Sequence, residues 1–159
     1  MTASTTDLSD AHPEVQAAAP IFTDFGGRRT FGGPIETVRV YEDNVLVKAM
    51  LETPGDGRVL VVDGGGSRRR ALVGDVLAGI GAGNGWAGIV IYGCVRDTEA
   101  LADLDIGVKA LAAFPIRSEK RGVGQVSLPV SFAGVTFRPG WWLYADADGI
   151  IVSRTELAG

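Results

Sequence analysis

Apolar residues along this chain change period several times, and each change marks an element. From Pro34 to Val40 they alternate, with Ile35, Val38 and Val40 apolar, which predicts a strand. Asn44 is placed to cap a helix from Val45 to Glu52, and Pro54-Gly55-Asp56-Gly57 is a turn. Val59-Leu60-Val61-Val62-Asp63 is unbroken and β-branched, the pattern of a strand covered on both faces, and Gly64-Gly65-Gly66 ends it. Gly74 and Asp75 then open a helix that runs to about Ala82 and stops at Gly83-Asn84-Gly85. Trp86 to Gly93 reads as the next strand, Asp97 or Thr98 caps a short helix to about Leu104, and Val108 to Phe114 is a further strand.

The ends differ from this middle. Residues 1–20 are weakly patterned, with Thr6 or Asp7 placed to cap a short helix, and Phe25-Gly26-Gly27 and Phe31-Gly32-Gly33 are turns. From Gln125 onward the pattern is all-β. Val126 to Val130 is expected as an edge strand, because Pro129 has no N–H to give a ladder. Val135-Thr136-Phe137, Trp142-Leu143-Tyr144 and Ile150-Ile151-Val152 follow, parted by Pro139-Gly140 and by Asp146-Ala147-Asp148-Gly149. No internal repeat and no domain boundary interrupts the series. The expectation is one α+β domain over residues 1–159, a βαβ-containing middle joined to a β-rich C-terminal half.

Composition narrows the function classes. With 46% apolar and 21% charged residues the chain can bury a core. A net charge of −4 argues against nucleic acid as a direct partner, because phosphate binding needs clustered positive charge. Arg68-Arg69-Arg70, the one basic run, reads as a solvated or interface face. One cysteine, Cys94, allows no intrachain disulfide and suits a reducing compartment. There is no signal-peptide pattern and no apolar run of about 18 residues, so a cytoplasmic protein without a membrane span is expected.

Several chemical motifs weaken on inspection. Asp63-Gly64-Gly65-Gly66 follows a strand, as a nucleotide or methyl-donor loop would. Arg69 stands where a dinucleotide fingerprint needs its last glycine, and no Gly-Lys-Ser/Thr follows, so a tight turn with positive φ is the better reading. His12 is the sole histidine, which disfavours a catalytic triad or a His-based zinc site. Cys94 reads as a packing residue. Lys109, the one lysine in an apolar strand, is expected to be a paired or snorkelling surface lysine rather than a Schiff-base amine.

One constellation is better suited to chemistry. Twenty residues lie between Asp75, at a helix start, and Arg96-Asp97, at the end of the following strand. The free N–H groups of Asp75, Val76 and Leu77 can hold a carboxylate, and Gly74 lets it come close. Arg96 offers a charged fork to a keto or enolate oxygen. Asp97 is a hard oxygen ligand suited to Mg²⁺ or Mn²⁺, and Asp75 can orient or deprotonate a water. The plain alternative is that both aspartates cap helices and Arg96 pairs with one of them.

This spacing resembles the signature of the class II pyruvate aldolases of the 4-hydroxy-4-methyl-2-oxoglutarate type, a family that includes the proteins called regulator of ribonuclease E activity A. Phe25-Gly26-Gly27-Arg28, Val61 to Ser67, Ala71-Leu72-Val73-Gly74-Asp75, Ile91-Tyr92-Gly93, Leu104-Asp105-Ile106-Gly107 and Tyr144-Ala145-Asp146 with Gly149 to Val152 read like the regulator branch. The likeness runs from about Thr6 to Ser153. It implies a swivelling β/β/α fold, a β-rich core with flanking helices, and a homotrimer with sites between subunits. It also implies that the backbone of Gly74 to Leu77 binds the pyruvyl carboxylate, that Arg96 binds the substrate oxygen, that Asp97 holds the divalent cation and that Asp75 positions a catalytic water.

Two positions depart from the aldolase pattern. Ala100 stands where an acid is expected three residues after the motif aspartate, with Asp103 as a candidate substitute, and the sequence stops at Gly159, short of a C-terminal acid that such aldolases use. The resemblance therefore implies a metal-dependent lyase acting on a small 2-oxo acid, through oxaloacetate decarboxylation or retro-aldol cleavage. Its alternative is a non-catalytic regulator that binds and inhibits an endoribonuclease.

Overall fold

The structure is a computed structural model and describes residues 3–158. The chain begins with α1 (Thr5–Ala11), β1 (Gln16–Ala17) and β2 (Thr23–Asp24), followed by β3 (Phe31–Arg39), α2 (Val45–Leu51) and β4 (Val59–Asp63). The middle continues through β5 (Ala71–Val73), α3 (Asp75–Gly83), β6 (Gly88–Val95), α4 (Thr98–Leu101) and β7 (Gly107–Ala113). It closes with β8 (Gln125–Val126), β9 (Val130–Phe132), β10 (Val135–Phe137), β11 (Trp142–Asp146) and β12 (Gly149–Ser153). The result is the α+β architecture that the alternating pattern predicts.

The nine residues of β3 join two kinds of sheet. Phe31 to Pro34 pair antiparallel with β11, and Ile35 to Arg39 pair parallel with β4. The parallel part runs β3-β4-β6-β7, with β5 also on β6. Along β4 the side chains alternate between two cores. Leu60 and Val62 join Val47, Leu51, Leu77, Trp86 and Ile89 beneath α2 and α3, while Val59 and Val61 face Phe31, Phe132, Phe137 and Leu143 on the other side. Burial on both faces is why the run lacks polar alternation.

Five expectations shift. Phe31-Gly32-Gly33, expected as a turn, is the start of β3, because it pairs with β11. The cap of α1 is Ser4, whose hydroxyl accepts from the Asp7 N–H at 3.1 Å, rather than Thr6 or Asp7. The edge strand over Val126 to Val130 divides, because Ser127 takes a left-handed conformation (φ 59°) and Pro129 cannot pair. The helix after Asp97 ends at Leu101, one turn long. Lys109 is paired, as expected, but it is buried rather than at the surface, with its ammonium 3.0 Å from Asp24.

Two glycines fix how closely β6 and β7 approach the second core. Gly88 and Gly107 are direct neighbours across the strands, and the Phe31 ring lies over both. A Cβ at either position would fall within that ring. Overpacking of this kind costs about 1–3 kcal/mol and loss of a buried aromatic about 3–5 kcal/mol. Gly107→Ala and Phe31→Ala are therefore both expected to lower the urea midpoint, with Phe31→Ala the larger loss. A midpoint unchanged in Gly107→Ala would show that the ring is free to move aside.

Candidate active site

The site forms where β5 and β6, parallel neighbours, deliver their ends to the same place. Val73 pairs with Val95, and the Arg96 N–H donates to the Val73 carbonyl at 3.0 Å. Gly74 follows β5 as the N-cap of α3, and Arg96-Asp97 follows β6. Gly74 has extended backbone, so what its glycine provides is space and not a special φ. A Cβ there would sit 2.6 Å from Asp97 Oδ2 and 3.4 Å from Arg96 Cγ. Without it, the arginine and aspartate lie directly against the helix start.

Gly74, Asp75, Val76, Leu77, Arg96 and Asp97 all line one cavity of about 240 Å³. Gly74 gives α3 no side-chain cap, which leaves the first N–H groups of the helix available to a ligand. Asp97 occupies the left-handed region (φ 59°), uncommon outside glycine, and its side chain makes no cap hydrogen bond to α4. Among the described residues neither Asp75 nor Asp97 accepts a side-chain hydrogen bond, and the nearest cation is Arg96, 3.9 Å from Asp97. The aspartates are therefore not spent on helix caps, and the Arg96–Asp97 pair is a loose one.

Four further residues of the cavity, Asn44, Lys48, Arg117 and Lys120, escaped the sequence reading. Asn44 was expected to cap α2. It does hold the N-cap position, but its side chain makes no cap hydrogen bond: Asp43 Oδ1 accepts from the Val45 N–H at 3.1 Å instead, and the buried Asn44 amide donates to the Leu72 carbonyl at 3.0 Å. Arg117 and Lys120 lie in a segment without periodicity. It is stitched to β5 by Ser118, which donates to the Ala71 carbonyl at 2.7 Å, and by the Ala71 N–H, which donates to Ile116. Four cations and two carboxylates leave the cavity with an excess of two positive charges, in a chain of net charge −4.

The remaining candidates fall elsewhere. Glu99, Ala100 and Asp103 are exposed and do not line the cavity, so Asp103 does not replace an acid at position 100. Gly65 and Gly66 do adopt positive φ (67° and 74°), and Asp63 accepts from the Gly65 N–H at 2.9 Å, closing its own turn. Cys94 is buried, and burial pushes its thiol up, away from nucleophilic use. His12 bonds the Ala158 carbonyl. Among the described residues, no helix is long and apolar enough to cross a membrane.

A family profile described as Aldolase/RraA matches residues 5–152. The chain belongs to the Aldolase/RraA family. A relative from Ectopseudomonas mendocina, named "Putative 4-hydroxy-4-methyl-2-oxoglutarate aldolase", is 57% identical over 97% of this chain and 96% of its own length. The RNA-processing inhibitor RraA from Thermus thermophilis superposes with a TM-score of 0.96 at 50% identity, over 100% of this chain and 97% of that one. A structure from Geobacillus kaustophilus, titled S-adenosylmethionine: 2-dimethylmenaquinone methyltransferase, gives a TM-score of 0.95 at 47% identity, over 97% and 96% of the two chains.

Asp43 ties the loop beside the cavity to α2. Burial pushes its carboxyl up, but N–H groups of Val45, Val123, Arg121 and Gly122 outweigh that and hold it below the ordinary carboxylate range. A depressed folded pKa adds stability above the unfolded value, about 3.9, and that stability is lost as pH falls through the folded value. Asp43→Ala should thus lower the Tm at pH 7 by about 5 °C or more, and the gap to the parent should close as pH falls below about 4. Thermal melts from pH 3 to 7 check this. A gap that stays constant with pH would refute the linkage.

Proposed function

We propose that this protein is a lyase that generates the pyruvate enolate, from oxaloacetate by decarboxylation and from 4-hydroxy-4-methyl-2-oxoglutarate by retro-aldol cleavage. The carrying observation is the convergence of the α3 N-terminus, Arg96 and Asp97 on one cavity, permitted by Gly74. The aldolase name of the 57%-identical relative supports the same reading. The N–H groups of Asp75, Val76 and Leu77 hold the C1 carboxylate at the positive end of the helix. The Arg96 guanidinium donates to the C2 oxygen. As the C3–C4 bond breaks, its electron pair forms the C2–C3 double bond and negative charge moves onto that oxygen, where Arg96 stabilises it. Asp75 positions a water that takes the proton of the C4 hydroxyl in the aldol case and returns a proton to C3 in both.

A divalent cation fits this donor set. No group of three His, Cys, Asp or Glu side chains is present among the described residues, so a closed protein cage is not on offer. Mg²⁺ and Mn²⁺ suit one or two carboxylates with retained waters, and Asp97 presents an exposed carboxylate beside the space left by Gly74. Held there, the ion would add positive charge near the C2 oxygen. The working form in this proposal is a cytoplasmic homotrimer. Val45, Val76 and Ile116, exposed and adjoining the cavity in sequence, give a second copy apolar surface to cover.

The test is oxaloacetate decarboxylation with and without Mg²⁺ or Mn²⁺. Arg96→Ala is expected to cut turnover about 100-fold or more, and Asp97→Ala to abolish its metal dependence. An Asp97→Ala protein with the parent's metal response would sink the assignment. The likeness to the Thermus inhibitor favours a second role on the same fold, binding and inhibition of an endoribonuclease of the ribonuclease E type. Inhibition that survives Asp97→Ala and chelation would separate that role from catalysis.

A further inference from the structure

A second cavity, of about 470 Å³, shares a wall with the candidate active site. It is lined by the ends of β3 and β4, with Arg39, Tyr41, Asp63 and Gly65, and by residues 119–125. Glu119 and Arg121 face it, while Lys120 between them lines the cavity of about 240 Å³ at the α3 N-terminus. Small-molecule sites commonly measure about 300–1,000 Å³.

Most charged groups of this second cavity are already engaged. Arg121 pairs with Glu119 at 2.6 Å. The Asp43 carboxylate accepts from the backbone N–H groups of Val45, Arg121 and Val123 at 3.1, 2.9 and 3.2 Å. Arg39 and Asp63 differ. They are register partners on the parallel strands β3 and β4, so their side chains leave one face of the sheet about 4.8 Å apart. Opposite charges side by side on a sheet attract. These two do not pair. Among the described residues Arg39 has no carboxylate within 4 Å. Asp63 turns Oδ1 to the Gly65 N–H at 2.9 Å, and its Oδ2 has no hydrogen bond among the described residues.

Beside this split pair the lining is aromatic and apolar. Tyr41 is 58% exposed and Val123 67% exposed. The Tyr41 ring is braced against bare backbone, since a Cβ on Gly65 would lie 2.8 Å from its Cδ1. Val123 is held in place by its N–H bond to Asp43. Both side chains are therefore fixed in position and still open to a ligand.

We propose that this cavity binds a free α-amino acid with a large apolar or aromatic side chain. Arg39 takes the carboxylate, Asp63 Oδ2 takes the ammonium, and the side chain lies against Tyr41 and Val123. An α-amino acid carries its two charges on either side of a single carbon. That suits a cation and an anion one strand spacing apart that leave each other free. Neither Arg39 nor Asp63 lines the cavity at the α3 N-terminus, so the site stands apart from the lyase reading.

Titration calorimetry on the full chain tests it, with L-phenylalanine as the probe and one site per chain expected. Phenylpropionate lacks the ammonium, phenethylamine lacks the carboxylate, and glycine lacks the side chain. Each should bind at least about tenfold more weakly, the scale of one charge-assisted hydrogen bond or one buried aromatic side chain. Arg39→Gln and Asp63→Asn should each weaken L-phenylalanine by about tenfold or more. Arg39 is exposed, and asparagine keeps an oxygen for the Gly65 N–H, so both variants should melt with the parent. A parent that does not bind L-phenylalanine, or an Arg39→Gln protein with the parent's affinity, overturns the site. Phenylpropionate binding as tightly as L-phenylalanine overturns the role of Asp63 and with it the amino-acid assignment.

Discussion

The site depends on one missing side chain. Gly74 ends β5 and opens α3, and the loop carrying Arg96 and Asp97 leaves the neighbouring strand β6 at the same level. Any Cβ at position 74 would press on the Asp97 carboxylate and the Arg96 stem. The Asp97 carboxylate would then have to swing away from the helix start. The rest of the fold brings these two strand ends together. Parallel pairing in the order β3-β4-β6-β7 places α2 and α3 on one face, and the crevice at the carboxyl ends of such strands is where α/β sheets generally bind ligands.

Electrostatics at this crevice runs against the chain as a whole. The protein carries net negative charge, yet four cations face two carboxylates in the cavity. Arg69 and Arg121, outside it, pair with acids of their own. The acids that do lie near the cavity are either open or occupied elsewhere. Asp97 is exposed, and Asp43 is consumed by backbone N–H groups. A focused positive patch on an acidic protein attracts small anions without attracting polyanions to the rest of the surface.

The sequence carried much of this, for reasons that differ by element. Strand β4 and the stop at Gly64 were legible because burial on both faces writes an unbroken apolar run, and α3 because a glycine precedes it and an aspartate opens it. Strand β5, three residues long, is too short to display a period. Ser127 broke the expected edge strand through a backbone conformation that no composition announces. At the site, Gly74, Asp75, Arg96 and Asp97 were readable because they stand at element ends in fixed spacing. Asn44, Lys48, Arg117 and Lys120 were not. Asn44 precedes α2 and Lys48 lies on it, while Arg117 and Lys120 lie in an aperiodic segment that only the stitching of residues 116–118 onto β5 brings in. Asn44 also wore a plausible disguise, since asparagine before a helix normally means a cap.

The departure at Ala100 bears little on the cavity itself. Residues 99, 100 and 103 are exposed beside a one-turn helix and do not reach the cavity. The relative from Ectopseudomonas mendocina, which carries an aldolase name, is matched over 96% of its own length. In the proposed mechanism, the step common to both reactions is charge development on the C2 oxygen, which Arg96 and the helix start serve directly. Removing the C4 hydroxyl proton is the additional demand of the aldol substrate, and it falls on a water held by Asp75. Decarboxylation has no such demand. A cavity of this composition is therefore better equipped for enolate formation than for hydroxyl deprotonation, and oxaloacetate is the substrate on which its chemistry is most directly read.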